Sequence, residues 1–310
     1  MEHVPVLKDV VQKYLDVRRG EVVLDATLGL GGHSLEILKS LGKKGKLIAF
    51  EQDERNLQEA KKRLKAFEKQ IIYIHDNFRY LKNRITGEGI KSVDKIFFDL
   101  GLSSPHVDDP ERGFSFMKEG PLDMRFDRRS DLTASDVVNT YSEEELARIF
   151  YDYGEERFAK KIVRGICGRR KEKAFETTTD LAGFIESIIP KRGHKLHPAT
   201  KIFQALRIEV NDEINALKKA LEQAASVLKT GGRIVVISYH SLEDRVVKQF
   251  FKKLISPPAT QSEAIYRNFG EPFFEAITKK PVVPTEEEIM KNPRSRSAKL
   301  RAYTKLKDVD

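Results

Sequence analysis

Short apolar runs alternate with amphipathic stretches through the first hundred residues. Residues 21–26 (EVVLDA) read as a buried strand, followed at once by the glycine-rich segment 29–32. Residues 33–41 then have helical spacing, with Leu35, Leu38 and Leu41 on one side. Residues 46–50 (KLIAF) predict a second strand, 71–74 a third and 93–99 (VDKIFFD) a fourth. Between the second and third, Asp53 is placed to cap a helix over 54–68, with Leu57, Ala60, Leu64 and Phe67 apolar. Strands separated by helix-length segments predict βαβ units: a parallel sheet with helices on both faces.

The rhythm breaks after Leu102. Residues 103–129 are rich in Pro, Gly, Asp and Arg without periodicity and read as an ordered loop. From 133 to about 205 the pattern is helical (143–153, 155–171 and 179–189), with Ser142 and Glu145 spaced as a capping box. No strand is expected there. The α/β rhythm returns with a helix over 212–229, a Thr230-Gly231-Gly232 turn, a fifth strand at 233–238 and a helix at 242–254. Residues 273–277 and 300–306 are weaker strand patterns, expected to pair with each other across a long connection. The chain is therefore divided into 1–105 and 207–310, together one α/β sheet domain, and an all-helical insertion over 106–206.

The turn Asp25-Ala-Thr-Leu-Gly29-Leu-Gly31-Gly32-His33 lets a strand bend sharply and lets backbone N–H groups approach a ligand at a helix N-terminus. Alone it is compatible with a nicotinamide cofactor, with S-adenosylmethionine or with a structural bend. Three carboxylates narrow the choice. Asp25, Glu51 and Asp99 each end an apolar run, hence a strand of one sheet. A sulfonium that also carries an ammonium suits carboxylates there, whereas a pyrophosphate would be repelled by them. S-adenosylmethionine is the favoured reading. After the third strand, Asn77 is a candidate cap, and Phe78 is either an adenine-stacking ring or core.

Asp99-Leu-Gly101-Leu-Ser103-Ser104-Pro105-His106 sets a carboxylate, two hydroxyls and a stiffening proline beyond the fourth strand. The exocyclic amine of a base is a poor nucleophile, because its lone pair is delocalised into the ring. It has to be held in line with the methyl group by hydrogen-bond acceptors. Carbon methylation of a pyrimidine would need a thiolate instead. The lone cysteine, Cys167, lies in the helical region among arginines and reads as a packing residue. The seven histidines have no zinc spacing, so no metal is expected. After the fifth strand, Ser241 is placed as an N-cap with Asp244 at N3, and Tyr239 and His240 are candidate substrate contacts.

Charge adds a polyanionic partner to this picture. Lys and Arg number 56 against 47 Asp and Glu, a formal charge of +9. From 291 to 307 there are seven cations and no acid, Arg294, Arg296, Lys299 and Arg301 among them, interleaved with hydroxyls that suit phosphates. Further basic clusters lie at 164–173 and 191–201. No signal peptide and no apolar run near the roughly 18 residues of a spanning helix is present, so a cytosolic protein without membrane contact is expected. The sequence leaves the oligomeric state open.

Together these motifs resemble the bacterial MraW/RsmH family of small-subunit ribosomal RNA methyltransferases. The matching segments are His3-Val-Pro-Val-Leu, residues 25–34, 99–106, Glu111-Arg-Gly-Phe-Ser-Phe-Met117, Gly120-Pro-Leu-Asp-Met-Arg125, and residues 198–213, 238–245 and 293–301. The resemblance implies a Rossmann-like class I methyltransferase sheet with an inserted all-helical substrate domain. It implies S-adenosyl-L-methionine as cofactor and the N4 amine of a cytidine near the decoding centre of 16S RNA as acceptor, in an assembled or nearly assembled subunit. By analogy, Gly31, Gly32 and His33 cradle the methionine part, Glu51 binds the ribose and Phe78 packs near the adenine, while Asp99 and His106 complete the cofactor site. Glu51 stands where many members have Asp, and His106 where Gln is common. Ser104-Pro105 looks like the polar-residue-proline pair that amino-methyltransferases set at the reactive nitrogen. Another acceptor, or an RNA-binding assembly factor without catalysis, is the alternative.

Overall fold

The computed structural model describes residues 5–189, 197–255 and 272–309. They form two compact units, 1–101 with 214–310, and 102–213. These boundaries fall a few residues outside the 106–206 insertion read from the sequence.

In the first unit, α1 (Lys8–Leu15) precedes β1 (Val22–Asp25), α2 (Gly32–Leu41), β2 (Lys46–Phe50), α3 (Glu54–Arg63), β3 (Ile71–Ile74), α4 (Leu81–Gly87) and β4 (Val93–Asp99). The sheet order is β3-β2-β1-β4-β5-β7-β6, with β5 (Leu228–Ser238), β6 (Phe274–Ala276) and β7 (Lys299–Lys305) completing it. The first five strands in that order run parallel, and β7 is antiparallel to both β5 and β6. The expected terminal pair thus forms, with β7 seated between β5 and β6. Strands buried on both faces read as unbroken apolar runs. In β4, Ile96 and Phe98 pack on one side with Leu24, Phe50 and Val236, while Phe97 packs on the other with Val23, Leu47 and Val235.

α3 is shorter than the 54–68 periodicity predicts, ending at Arg63 before a 3₁₀ turn over Lys65–Gln70. Asp53 caps it as expected, accepting from the amides of Arg55 and Asn56. α11 (Glu213–Val227) leads straight into β5, which absorbs the Thr230-Gly231-Gly232 segment with a register shift opposite β4. α12 (Ser241–Ile255) follows. Its N-cap is His240 rather than Ser241. Glu243 Oε2 accepts from the amides of Tyr239 at 2.8 Å and His240 at 3.3 Å. Asp244, assigned to that cap from sequence, instead takes two hydrogen bonds from Arg301, at 2.7 and 3.2 Å.

The second unit contains α5 (Ser104–Asp108), α6 (Ala134–Thr140), α7 (Glu143–Asp152), α8 (Ala159–Arg169), α9 (Thr178–Ile188) and α10 (Ala199–Asn211) around one apolar core. α8 occupies only part of the expected 155–171, since Glu156 is buried and its carboxylate takes the amide of Phe158 before the helix begins. The Ser142–Glu145 capping box is present. Residues 103–129, expected as loop, include α5 and a 3₁₀ turn over Pro110–Arg112, and Pro121 bridges to Thr177. This stretch is fixed by buried polar bonds. Arg112 donates to the carbonyls of Arg125 and Phe126, and Asn211 accepts from the Phe126 amide and donates to the Met124 carbonyl. Cys167 lies against the core.

Candidate functional site

A parallel sheet whose order reverses between β1 and β4 opens a crevice at the carboxyl ends of those strands. Asp25 ends β1 and is fully buried. Its oxygens accept from the Thr27 amide at 3.0 Å and the Ser34 hydroxyl at 2.6 Å. Burial pushes its pKa up to about 6 against the opposing hydrogen bonds. Glu51, just beyond β2, accepts from the amides of Gly29 and Asp53, both at 2.8 Å. Burial, with Asp53 nearby adding repulsion, raises it to about 8.

Asp99 ends β4. Its amide donates to Thr27 Oγ1 at 2.6 Å, and its Oδ1 accepts from the Tyr239 hydroxyl at 2.8 Å. Its Oδ2 lies 3.6 Å from His33 Nε2. A quarter of the side chain stays open to solvent, yet desolvation, reinforced by Asp25 and Glu243, raises its pKa to about 7. The same desolvation and the adjacent carboxylate drive Tyr239 well above the usual phenol range, so it stays a hydrogen-bond donor.

The glycine turn is closely packed. Gly31, at φ 76°, is the left-handed entry to α2, and a β-carbon there would meet the Leu64 side chain at 3.1 Å. A β-carbon on Gly32 would strike Pro5 at 2.7 Å. His33 is buried in the first turn of α2, tilted against Phe97 with ring centres 4.8 Å apart. Phe78, in the 3₁₀ turn capped by Asn77, meets Phe98 edge-on at 5.9 Å and is half-buried. The sheet unit therefore brings Asp25, Gly31, Gly32, His33, Glu51, Asp99 and Tyr239 to the ends of its central strands.

Other sequence-selected residues have different surroundings. Ser104 and Pro105 open α5 in the inserted unit, where His106 is buried between Phe114 and Phe126. Its Nδ1 sits 3.2 Å from the Ser103 amide and 3.0 Å from the Ser103 hydroxyl, closing a cap. His240 is engaged by Glu243, its Nε2 3.2 Å from that carboxylate. The basic run over 291–307 includes the strand expected at its end, β7. Arg301 lies in β7, its side chain only 11% exposed and bound to Asp244, so its charge is spent inside the fold. Arg294 and Arg296 are exposed on the 3₁₀ turn Pro293–Ser297, and Lys299 is half-buried. In the 164–173 cluster, Arg169 pairs with Asp180 at 2.8 Å and Arg170 donates to the carbonyls of Val138 and Tyr141. Most of the 191–201 cluster lies outside the described residues.

Thr27, Ser34 and Glu243 escaped the sequence reading. Thr27 lies inside the glycine turn and Ser34 in the first turn of α2, and a hydroxyl at such a site is the available signal. Glu243 follows the cap residue by three, the spacing of a capping box.

Buried carboxylates raised toward protonation are costly unless a cation neutralises them. The sulfonium and ammonium of S-adenosyl-L-methionine fit this donor set. A parallel β3-β2-β1-β4-β5 sheet extended by an antiparallel β7, with carboxylates at its switch point, defines a Rossmann-like class I methyltransferase. The chain belongs to the MraW methylase family, whose profile matches residues 1–306. It is 49% identical over 306 residues to ribosomal RNA small subunit methyltransferase H of Carboxydothermus hydrogenoformans, covering 98% of both chains. With the protein of that name from Streptococcus mutans it shares 45% identity over 310 residues, covering 99% of this chain and 98% of the other.

Proposed function

We propose that this chain transfers the methyl group of S-adenosyl-L-methionine to the exocyclic N4 amine of one cytidine near the decoding centre of small-subunit ribosomal RNA. The carboxylates of Asp25, Glu51 and Asp99 around the β1–β4 crevice carry the reading, and the relatives named for small-subunit RNA methylation support its substrate. When bound, the cofactor supplies an electrophilic methyl. Gly31, Gly32 and His33 would line its methionine part, Glu51 its ribose and Phe78 its adenine. When ionised, Glu51 has acceptor capacity beyond its bonds to the Gly29 and Asp53 amides, with which it would accept from a diol.

Asp99 does the acid–base work. An amine that took up that methyl would carry one proton too many, and a base beside it would have to remove it. The Asp99 carboxylate, held on Oδ1 by Tyr239 and left ionised by the cation beside it, would accept a hydrogen bond from that nitrogen and then the proton. By the family resemblance Ser104-Pro105 contacts the same amine and His106 the cofactor. Exposed Arg294 and Arg296 offer phosphate contacts, and Tyr239 and His240 substrate contacts. No helix among the described residues is long and apolar enough to cross a membrane, in keeping with work on ribosomal subunits in the cytoplasm.

The test is methyl transfer from labelled S-adenosylmethionine to unmodified small subunits and to naked RNA, followed by nucleoside analysis. N4-methylcytidine at a single site, formed faster on subunits, is the expected outcome. Label in another nucleoside, or none despite cofactor binding, would overturn the assignment.

A further inference from the structure

Two consecutive helices of the inserted unit start in opposite electrostatic fashion. α7 begins with Glu143, Glu144 and Glu145, the arrangement a helix N-terminus favours. α8 has no acid in its first turn and instead carries Lys160 and Lys161 there, with Arg157 just before and Arg164 a turn later. Cations at that end oppose the helix dipole and cost stability. A placement that disfavours folding calls for another use.

The same residues line a cleft of about 490 Å³ whose apolar floor includes Phe158, Ala147 and Ala159. Tyr151, also in its lining, is 69% exposed, which leaves much of its ring open to a ligand among the described residues. The Arg157 guanidinium lies over the Phe158 ring, 4.8 Å from its centre, presenting a flat cationic face. Arg164 is 77% exposed and holds Glu143 only at 3.8 Å, while Lys161 reaches the carbonyl of Ile188 at 2.7 Å. Glu156, the cleft's one acid, is buried with an oxygen on the Phe158 amide. The opening thus combines a stacking ring, a stacked guanidinium and a cationic rim.

We propose that this α7–α8 cleft binds unpaired nucleotides of RNA, with a base stacked on Tyr151 and phosphates along Arg157, Lys160 and Arg164. That combination of aromatic platform and cationic track is how single-stranded nucleic acid is held without reading sequence. A double helix would hide its base faces from Tyr151. The proposal deepens the ribosomal-RNA reading given above and rests on it for the identity of the strand. It adds a docking site built wholly from residues of the inserted unit.

The test uses the full chain and a fluorescent single-stranded oligoribonucleotide, with methyl transfer to unmodified small subunits run in parallel. Tyr151→Ala is expected to weaken oligonucleotide binding about tenfold, while Tyr151→Phe, which keeps the ring, binds like the parent. Lys160→Glu with Arg164→Glu should also lower the slope of log affinity against log salt by about 1.4, for two phosphate contacts on a single strand. In the transfer assay Tyr151→Ala should raise KM for subunits and leave kcat and cofactor affinity unchanged. Equal oligonucleotide binding by all variants overturns the cleft proposal, and would point to a protein occupant. Cleft-dependent binding without any transfer by the parent enzyme would sink the methylation reading and leave the cleft standing.

Discussion

The strand ends of the sheet unit and the start of α8 in the insert both hold like charges together, but in opposite settings. At the sheet, Asp25, Glu51 and Asp99 are taken from water and their pKa values rise to about 6, 8 and 7. At α8, Arg157, Lys160 and Arg164 remain exposed to water. The first arrangement stores unfavourable energy that a small, enclosed cation relieves, giving a site tight and selective for charge. The second attracts a large polyanion through a field that salt screens. In the functions proposed above, buried charge would serve recognition of the donor and exposed charge capture of the acceptor.

The largest expected effect lies at the buried end. Asp99→Asn keeps the shape and an acceptor for the Tyr239 hydroxyl but removes the proton acceptor. Turnover should fall about 10²–10⁴-fold, with melting temperature and oligonucleotide binding nearly unchanged. Parental turnover by this variant, in single-turnover assays, would place the chemistry elsewhere and dissolve the contrast. The smallest effect lies at the exposed end. Lys160→Glu puts an acid at the second position of α8 and should stabilise the protein by roughly 0.3–1 kcal/mol in urea unfolding, while weakening RNA binding. A loss of stability would show that Lys160 is placed for folding, and would remove the electrostatic argument for the cleft.

The sheet was legible because its strands are buried on both faces and appear as unbroken apolar runs ended by carboxylates. Asp25, Glu51 and Asp99 could be picked out for that reason. Relations across long sequence separations were not legible. Nothing local announces that Asp244 would leave the cap of α12 for Arg301 in β7, so Arg301 was expected to meet phosphate although the strand it lies on was foreseen. His240 replaced Ser241 as cap because Glu243 reaches back to two amides, a choice that spacing alone leaves open. Arg169 and Arg170 looked like surface charge, yet their partners on α9 and around α6 draw them inward. The cleft at α8 is legible only once Tyr151 and the cations are seen on one opening.

Calorimetry of S-adenosylmethionine binding, run in buffers of different ionisation enthalpy, tests the central claim most directly. A group whose pKa is raised to about 7 or above in the free protein holds a proton much of the time near pH 7, and a bound cation lowers that pKa and expels it. Asp99, half-protonated near pH 7, should therefore release a proton on binding, and affinity should rise from pH 6 to pH 8. Release should be smaller with S-adenosylhomocysteine, which lacks the sulfonium charge, and smaller still in Asp99→Asn. Binding with no proton exchange and flat affinity across that range would contradict the account, because the carboxylates would then not be answering the charge of the donor.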